Sequence, residues 1–266
     1  MPHDFRDAGR LQSSFVDFLR TERPELLPQP VLSGPLEMVE ATTIVALRYG
    51  DGVVMAGDRR ATEGFSIAHR AMEKVFPADA YSAVGIAGAA GPAVEMVRLF
   101  QVELEYYEKV EGEALSLAGK ANRLGALIRA NLPAAMQGFV VLPLFGGFDT
   151  IKGEGRIYRY DVTGGLSEET DYHAIGSGGR DAKNSMKKLY ETPSSLDAAR
   201  AIEIAVEALT DAAEEDAATA GPDPVHGIYP TVWVIDGSGV RDTPDADVET
   251  VARAVLERRS KNGRGR

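Results

Sequence analysis

The run TTIVALRY (residues 42–49) has the β-branched and aliphatic composition of a strand, and it begins abruptly after some forty residues that resemble a leader. Asp58 follows Thr42 by sixteen residues, and Lys74 follows Asp58 by another sixteen. A hydroxyl, a carboxylate and a lysine at this even spacing suggest an enzyme whose nucleophile becomes its own N-terminus. Residues 1–41 would then be a propeptide that is removed on maturation.

This chemistry depends on the bond between Ala41 and Thr42. A threonine hydroxyl is a poor nucleophile unless a base accepts its proton. An α-amino group suits that task, because its ordinary pKa of about 7.7–8.0 leaves an appreciable neutral fraction near pH 7. The nitrogen of Thr42 is an amide until the bond is cut. A nearby lysine would favour the alkoxide, and a glycine turn after a strand, such as Gly88, could supply a donor to the oxyanion.

Composition and charge exclude several classes of protein. The chain of 266 residues is 44% hydrophobic and 26% charged, which is ordinary for a globular protein of one large or two small domains. Its formal net charge of -11 argues against nucleic acid and anionic membranes as partners. It has no cysteine, and its four histidines lack metal-ligand spacing, so we expect no metal and no cofactor. Without a secretory signal or an apolar run of about 18 residues, we expect a cytoplasmic protein with no membrane span.

Predicted strands and helices occur in blocks along the rest of the chain. Strands are predicted at 43–49, 53–58, 81–87, 139–146, 155–162, 171–176 and 230–236, and helices at 92–110, 116–137, 180–190, 195–214 and 246–259. Within the second helix, Pro133 is expected to introduce a kink or to end the helix. Such blocks favour sheets packed on each other with helices outside over an alternating βαβ sheet. Ser194 or Ser195 is predicted to cap the fourth helix. The basic end of the chain, from about 260 to 266, is expected to be a mobile tail.

Beyond this spacing, the sequence closely resembles the β subunits of actinobacterial proteasomes, which are threonine peptidases of the N-terminal-nucleophile hydrolase superfamily. The likeness covers almost the whole chain. It is carried by SFVDFLR (14–20), TTIVA (42–46), AGDRRAT (56–62), ELEYYEK (103–109), AAMQG (134–138) and MKKLY (186–190). The long leader, the pair Arg59-Arg60 and the extended C-terminal part favour the proteasome over the related bacterial heat-shock peptidase with hexameric rings.

The resemblance implies an α+β fold, a four-layer αββα sandwich with the active threonine at the mouth between two sheets. It implies Thr42 as the nucleophile and its freed amine as the base. The residues that match the family's other catalytic groups are Asp58, Lys74, the oxyanion glycine Gly88, Ser177, Asp216 and Thr219. An extended substrate would pair as an added strand with the backbone of Thr62 and of residues 88–90.

The first specificity pocket is also implied by the resemblance. It is lined by Ala61, Met72, Ile86 and Ala90. All four side chains are apolar, so we expect cleavage after large hydrophobic residues.

Three departures from the family pattern cluster around the same site. Ala41 stands where the family has glycine, and its Cβ restricts the tight turn that self-cleavage needs, so maturation is expected to be slow or absent. The family's G-S-G-S is GSGG (176–179) here, followed by Arg180-Asp181. The family's D-S-A-T-G-G is DAATAG (216–221).

Three hypotheses follow from these observations. The first is an active threonine endopeptidase with residues 42–266 as its catalytic domain, in heptameric β rings enclosed by α-subunit rings, with a ring ATPase feeding in unfolded protein. The second is a divergent, weakly active or inactive structural β subunit that keeps its leader beside an active paralogue. The third is an amidase of the same superfamily with unrelated substrates.

Overall fold

Two five-stranded antiparallel sheets form the centre of the fold in the computed structural model, which describes residues 42–63, 66–69 and 71–261 but not the side chains of 61–70. The first sheet contains β1 (Thr43–Tyr49), β2 (Gly52–Gly57), β10 (Tyr172–Gly176), β11 (Thr231–Asp236) and β12 (Gly239–Asp242), in the spatial order β10–β1–β2–β11–β12. The second contains, in chain order and in space, β5 (Val75–Asp79), β6 (Ser82–Gly88), β7 (Val141–Asp149), β8 (Glu154–Tyr160) and β9 (Leu166–Glu169).

The described part of the chain also contains a small hairpin, several α-helices and a 3-10 helix at Pro193–Ser195. The hairpin pairs β3 (Ala61–Glu63) with β4 (Ser66–His69). The helices are α1 (Ala90–Glu111), α2 (Leu117–Ala130), α3 (Leu132–Ala135), α4 (Gly179–Leu189), α5 (Ala198–Glu215) and α6 (Asp245–Lys261). No helix among the described residues has the length and apolar character needed to cross a membrane.

Alternating side chains on the central strands supply two different cores. Strand β1 directs Ile44 and Ala46 into a cluster between the two sheets, and Val45 and Leu47 into a cluster beneath α4, α5 and α6. Successive side chains of a strand point to opposite faces, so a strand buried on both faces has a continuous apolar run. A third cluster joins the second sheet to α1 and α2, for example through Phe145. The layers are therefore helix, sheet, sheet and helix, and the predicted αββα sandwich is confirmed.

The predicted helix at 116–137 is interrupted near Pro133, where a kink or an end is expected. Helix α2 ends at Ala130, with Asn131 as its C-cap, and Pro133 lies in the first turn of the separate short helix α3. Proline lacks the N–H that a continuous helix needs, and its ring clashes with the preceding turn.

Two other predictions at helix ends are corrected. Neither Ser194 nor Ser195 caps α5, because the carboxylate of Asp197 accepts the Arg200 N–H at 2.8 Å and fills that position. The last helix, predicted to end at 259, continues to Lys261, and the mobile tail stays a prediction.

The longer α6 is held by ion pairs with α5. Buried Arg259 reaches Asp211 and Glu214, each at 2.5 Å. Residues 262–266 lie outside the described part of the chain.

Candidate active site

Thr42 lies directly before β1, and 6% of its surface is exposed. Its carbonyl oxygen accepts a hydrogen bond from the Ser177 N–H at 2.9 Å. This approach requires glycine at the end of β10, because Gly176 has a φ of +94° and a Cβ there would lie 1.8 Å from the Thr42 carbonyl oxygen. The pairing of β1 with β10 therefore holds the backbone of Thr42 against the turn that carries Ser177.

Asp58 follows β2 and is 1% exposed. Its Oδ1 accepts hydrogen bonds from the Thr43 N–H and from Lys74 Nζ, both at 2.8 Å. Its Oδ2 accepts from the N–H of Arg60 at 3.0 Å and of Ala220 at 3.1 Å. One carboxylate thus connects the start of β1, the turn after β2, the lysine before β5 and the loop after α5.

Lys74 is buried beside this carboxylate, with 3% of its side chain exposed. Its ammonium donates to Asp58 and to the carbonyl oxygen of Arg60. Burial lowers the pKa of Lys74 from its ordinary value, and the charge of Asp58 acts in the opposite direction. The result is a desolvated cation held in one place by a carboxylate.

A second hydrogen-bonded group surrounds Asp216, at the C-terminal end of α5. Its Oδ2 accepts from Ser177 Oγ at 2.5 Å and from Thr219 Oγ1 at 2.6 Å, and its Oδ1 accepts from the Ala218 N–H at 3.0 Å. Burial alone would raise the pKa of Asp216, but these hydrogen bonds and the charge of Arg60 outweigh it and hold the pKa below the ordinary value. The carboxylate is therefore ionised at neutral pH.

Two residues that the sequence patterns do not predict join these groups. Arg60 Nη1 donates to the carbonyl oxygens of Ala217 at 2.9 Å and Thr219 at 3.3 Å, so its side chain ties the turn after β2 to the loop after α5. Thr43 binds Asp58 through its amide, and its hydroxyl lies 2.6 Å from Thr219 Oγ1. The only sequence signals are the Arg59-Arg60 pair and the doubled threonine at 42–43.

The remaining predicted residues lie on the second sheet or just beyond it. Gly88 ends β6 with a φ of +109°. Met72 and Ala90 border one cavity of about 560 Å³, together with Gly91, Val94, Glu95 and Arg98. Ile86 does not line that cavity; it is 5% exposed and packs in the core under α1 and α2.

Three predicted positions cannot be placed. Ala41 and the side chains of Ala61 and Thr62 lie outside the described residues. No group of three His, Cys, Asp or Glu residues that could hold a metal occurs among the residues described.

The geometry suits acyl transfer to a hydroxyl. The Asp58–Lys74 pair adjoins Thr42 through the amide of Thr43, and the Asp216 group adjoins it through Ser177. A buried cation favours an alkoxide, and an ionised carboxylate with fixed donors can orient an amine. These are the groups that a threonine nucleophile with an amine base requires.

Comparisons with known proteins find relatives over most of the chain. The family model described as "Proteasome subunit" matches residues 38–225. The chain is 53% identical to "Proteasome subunit beta" of Streptomyces griseus subsp. griseus, over 97% of this chain and 96% of that protein. It is 60% identical to the protein of that name from Acidimicrobium ferrooxidans, over 84% and 82%. It is 52% identical to the one from Stackebrandtia nassauensis, over 100% and 96%.

Proposed function

The chain belongs to the proteasome subunit family, and from this membership we propose that it is a β subunit of a proteasome core particle with threonine endopeptidase activity. The β subunits of this family are generally peptidases, and they assemble with other proteasome subunits. The observation that carries the proposal is the position of Thr42, next to the buried Asp58–Lys74 pair and the Asp216 group.

The proposed reaction begins when the Ala41–Thr42 bond is cut and the nitrogen of Thr42 becomes an amine. That amine accepts the proton of Thr42 Oγ as Oγ attacks the substrate carbonyl carbon. The tetrahedral intermediate collapses to an ester on Thr42 as the proton passes to the leaving nitrogen, and water then hydrolyses the ester.

The surrounding residues have separate roles in this proposal. Asp58 holds Lys74, whose cation stabilises the Thr42 alkoxide. The backbone N–H of Gly88 donates to the oxyanion. The Asp216 group, with its donors Ser177 and Thr219, orients the amine of Thr42. Residues 1–41 are a propeptide in this scheme.

The cavity beside Ala90 supports a hydrophobic preference before the cut. The apolar residues Met72, Ala90 and Val94 line the cavity, together with the charged residues Glu95 and Arg98. An extended substrate would add as a strand along the backbone of residues 88–90. We expect faster cleavage of fluorogenic peptides after leucine or phenylalanine than after arginine or glutamate, and equal or faster cleavage after a charged residue contradicts this assignment.

The proposed assembly follows from the same membership. The β subunits form heptameric rings, α-subunit rings lie outside them, and a ring ATPase passes unfolded protein through the α rings. The enclosed chamber would restrict cleavage to unfolded chains.

One observation favours a structural subunit instead. Ala41 occupies the position where self-cleavage needs a tight turn, and a retained leader leaves Thr42 without an amine. The changes in the loop after α5 weigh less, because the contacts of the two changed residues, Ala217 and Ala220, are made by backbone atoms. The loss of a serine side chain leaves those contacts intact.

The test is maturation of the assembled particle. The chain is co-expressed with a partner α subunit, and the mass of the chain in the purified particle is measured with peptidase activity. We expect loss of residues 1–41 and activity, with both abolished by Thr42→Ala. Thr250→Ala, at an exposed position of α6, is the matched control and should behave like the parent. A retained leader in inactive particles supports the structural subunit.

A further inference from the structure

Thr43 is fully buried, and its hydroxyl lies inside the site that the proposed function uses. Its Oγ1 accepts a hydrogen bond from the Gly178 N–H at 3.0 Å and lies 2.6 Å from Thr219 Oγ1. Thr219 Oγ1 lies in turn 2.6 Å from Asp216 Oδ2. Four groups from β1, the turn before α4 and the loop after α5 therefore form one chain of hydrogen bonds.

The direction of every hydrogen bond in this chain is determined. An ionised carboxylate only accepts, so Thr219 donates its single hydroxyl proton to Asp216. The oxygen of Thr219 must then accept a hydrogen bond from Thr43, so the hydroxyl of Thr43 donates its single proton to Thr219. The remaining acceptor site of Thr43 takes the Gly178 N–H. No hydroxyl in the chain can turn around without leaving a buried donor or acceptor unsatisfied.

The packing around the two hydroxyls leaves no room for a side chain at Gly178. A Cβ on Gly178 would lie 2.6 Å from Thr43 Oγ1 and 2.8 Å from Thr219 Oγ1. Glycine at this position therefore allows the backbone amide to reach the threonine hydroxyl. Thr219 is 1% exposed, so water does not compete readily for its hydroxyl.

Thr43 also connects the two parts of the site. Its amide donates to Asp58, which holds Lys74, while its hydroxyl donates to Thr219, which holds Asp216. The groups on either side of Thr42 are thus fixed relative to each other by the next residue in the chain.

We propose that Thr43 is a positioning residue for peptide hydrolysis, whose hydroxyl locks Thr219 in the orientation that holds Asp216 beside the amine of Thr42. This inference rests on the proposed function. Thr43 touches neither the substrate nor the reacting atoms, and it acts through Thr219 and Asp216.

The test compares Thr43→Val, which keeps the shape and removes the hydroxyl, with Thr43→Ser, which keeps the hydroxyl and removes the methyl group. Both are measured as processed, assembled particles with a fluorogenic peptide over a range of pH. For Thr43→Val we expect kcat about tenfold lower, the effect of one lost hydrogen bond, with KM little changed. When Asp216 is less well ordered, its negative charge raises the pKa of the Thr42 amine by a smaller amount. The acidic limb of the kcat/KM profile therefore moves to lower pH. Thr43→Ser should recover most of kcat and restore the limb.

A second variant checks the route of the effect. Thr219→Val removes the next hydroxyl in the chain, and we expect Thr43→Val to cause little further loss of kcat when added to it. If the double variant instead loses kcat by the product of the two single losses, the effect of Thr43 does not pass through Thr219.

Three results overturn the inference. The first is a Thr43→Val particle with the kcat and pH profile of the parent, and the second is a Thr43→Ser particle as impaired as Thr43→Val. The third is failure of Thr43→Val to assemble where Thr43→Ser assembles, which assigns the hydroxyl to folding. The proposed function fails separately, when the parent is no more active than Thr42→Ala.

Discussion

At Asp58, one buried carboxylate accepts four hydrogen bonds from backbone and side-chain donors that are far apart in the chain. A residue in this position serves the stability of the domain as well as its chemistry. Removing its cationic partner leaves a buried, uncompensated charge, which is the costly way to break an ion pair.

We therefore expect Lys74→Met to lower the free energy of unfolding by about 3 kcal/mol. The comparison is made by urea unfolding in a Thr42→Ala background, so that every variant keeps the same length. Lys109→Met is the matched control: Lys109 pairs with Glu105 at 2.5 Å on the exposed face of α1, and such a pair contributes little. Equal losses for the two lysine variants contradict a structural role for the buried pair.

At the scale of single elements, His173 of β10 contacts Lys183 of α4, and its imidazole is hard to protonate. Nδ1 of His173 lies 3.3 Å from Lys183 Nζ and 3.4 Å from Glu169 Oε1, and Arg159 pairs with the same glutamate. Burial lowers the pKa of His173 to about 4. The positive charge of Lys183 also lowers this pKa, and the negative charge of Glu169 acts in the opposite direction. The histidine is therefore neutral in the folded protein across the physiological range.

This pKa predicts a loss of stability on acidification. Between about pH 6.5, the ordinary value, and pH 4, the unfolded chain binds a proton at His173 that the folded chain does not. The free energy of unfolding should fall as pH decreases through that window. The midpoints of urea unfolding at pH 7, 6 and 5 measure this fall in stability. The variant His173→Asn should show a weaker dependence of stability on pH. Lys183→Gln should weaken it, and a dependence unaffected by either change contradicts the assignment.

The strands that are buried on both faces are predictable from sequence, as is β10 at one edge of the first sheet, whereas the other edge strands are not. Strands β1, β2, β6 and β7 are buried on both faces, so their apolar runs stand out. Strands β5 and β9 lie at the two edges of the second sheet, where half-burial leaves no clear pattern. Strand β5 even contains Pro77, which an edge position tolerates.

The candidate site divides in a similar way. Asp58 and Lys74 follow from their spacing after Thr42, whereas Ser177 is 135 positions away and was identified by resemblance alone. The contacts of Arg60 were not predicted, because they are made with backbone carbonyls about 157 positions along the chain. Such contacts depend on how the turn after β2 packs against the loop after α5. The residue types alone do not predict this packing, because any residue offers a backbone carbonyl.

At the scale of the whole molecule, activity depends on the step that separates the proposed propeptide from the domain. We expect Ala41→Gly to speed maturation, because glycine reaches the tight turn that a Cβ restricts. The rate is measured as the loss of residues 1–41 by mass after mixing with the α subunit. Ala246→Gly, at the exposed start of α6, is the control. Unchanged or slower processing of Ala41→Gly removes the argument about this position.

The contacts of Thr42 and Thr43 also bear on when the proposed enzyme becomes active. Their described hydrogen-bond partners are Asp58, Ser177, Gly178 and Thr219, and all lie in the part of the chain that maturation retains. Release of the leader therefore removes none of these hydrogen bonds. In this proposal, cleavage supplies the amine to a site whose described donors and acceptors are already in position.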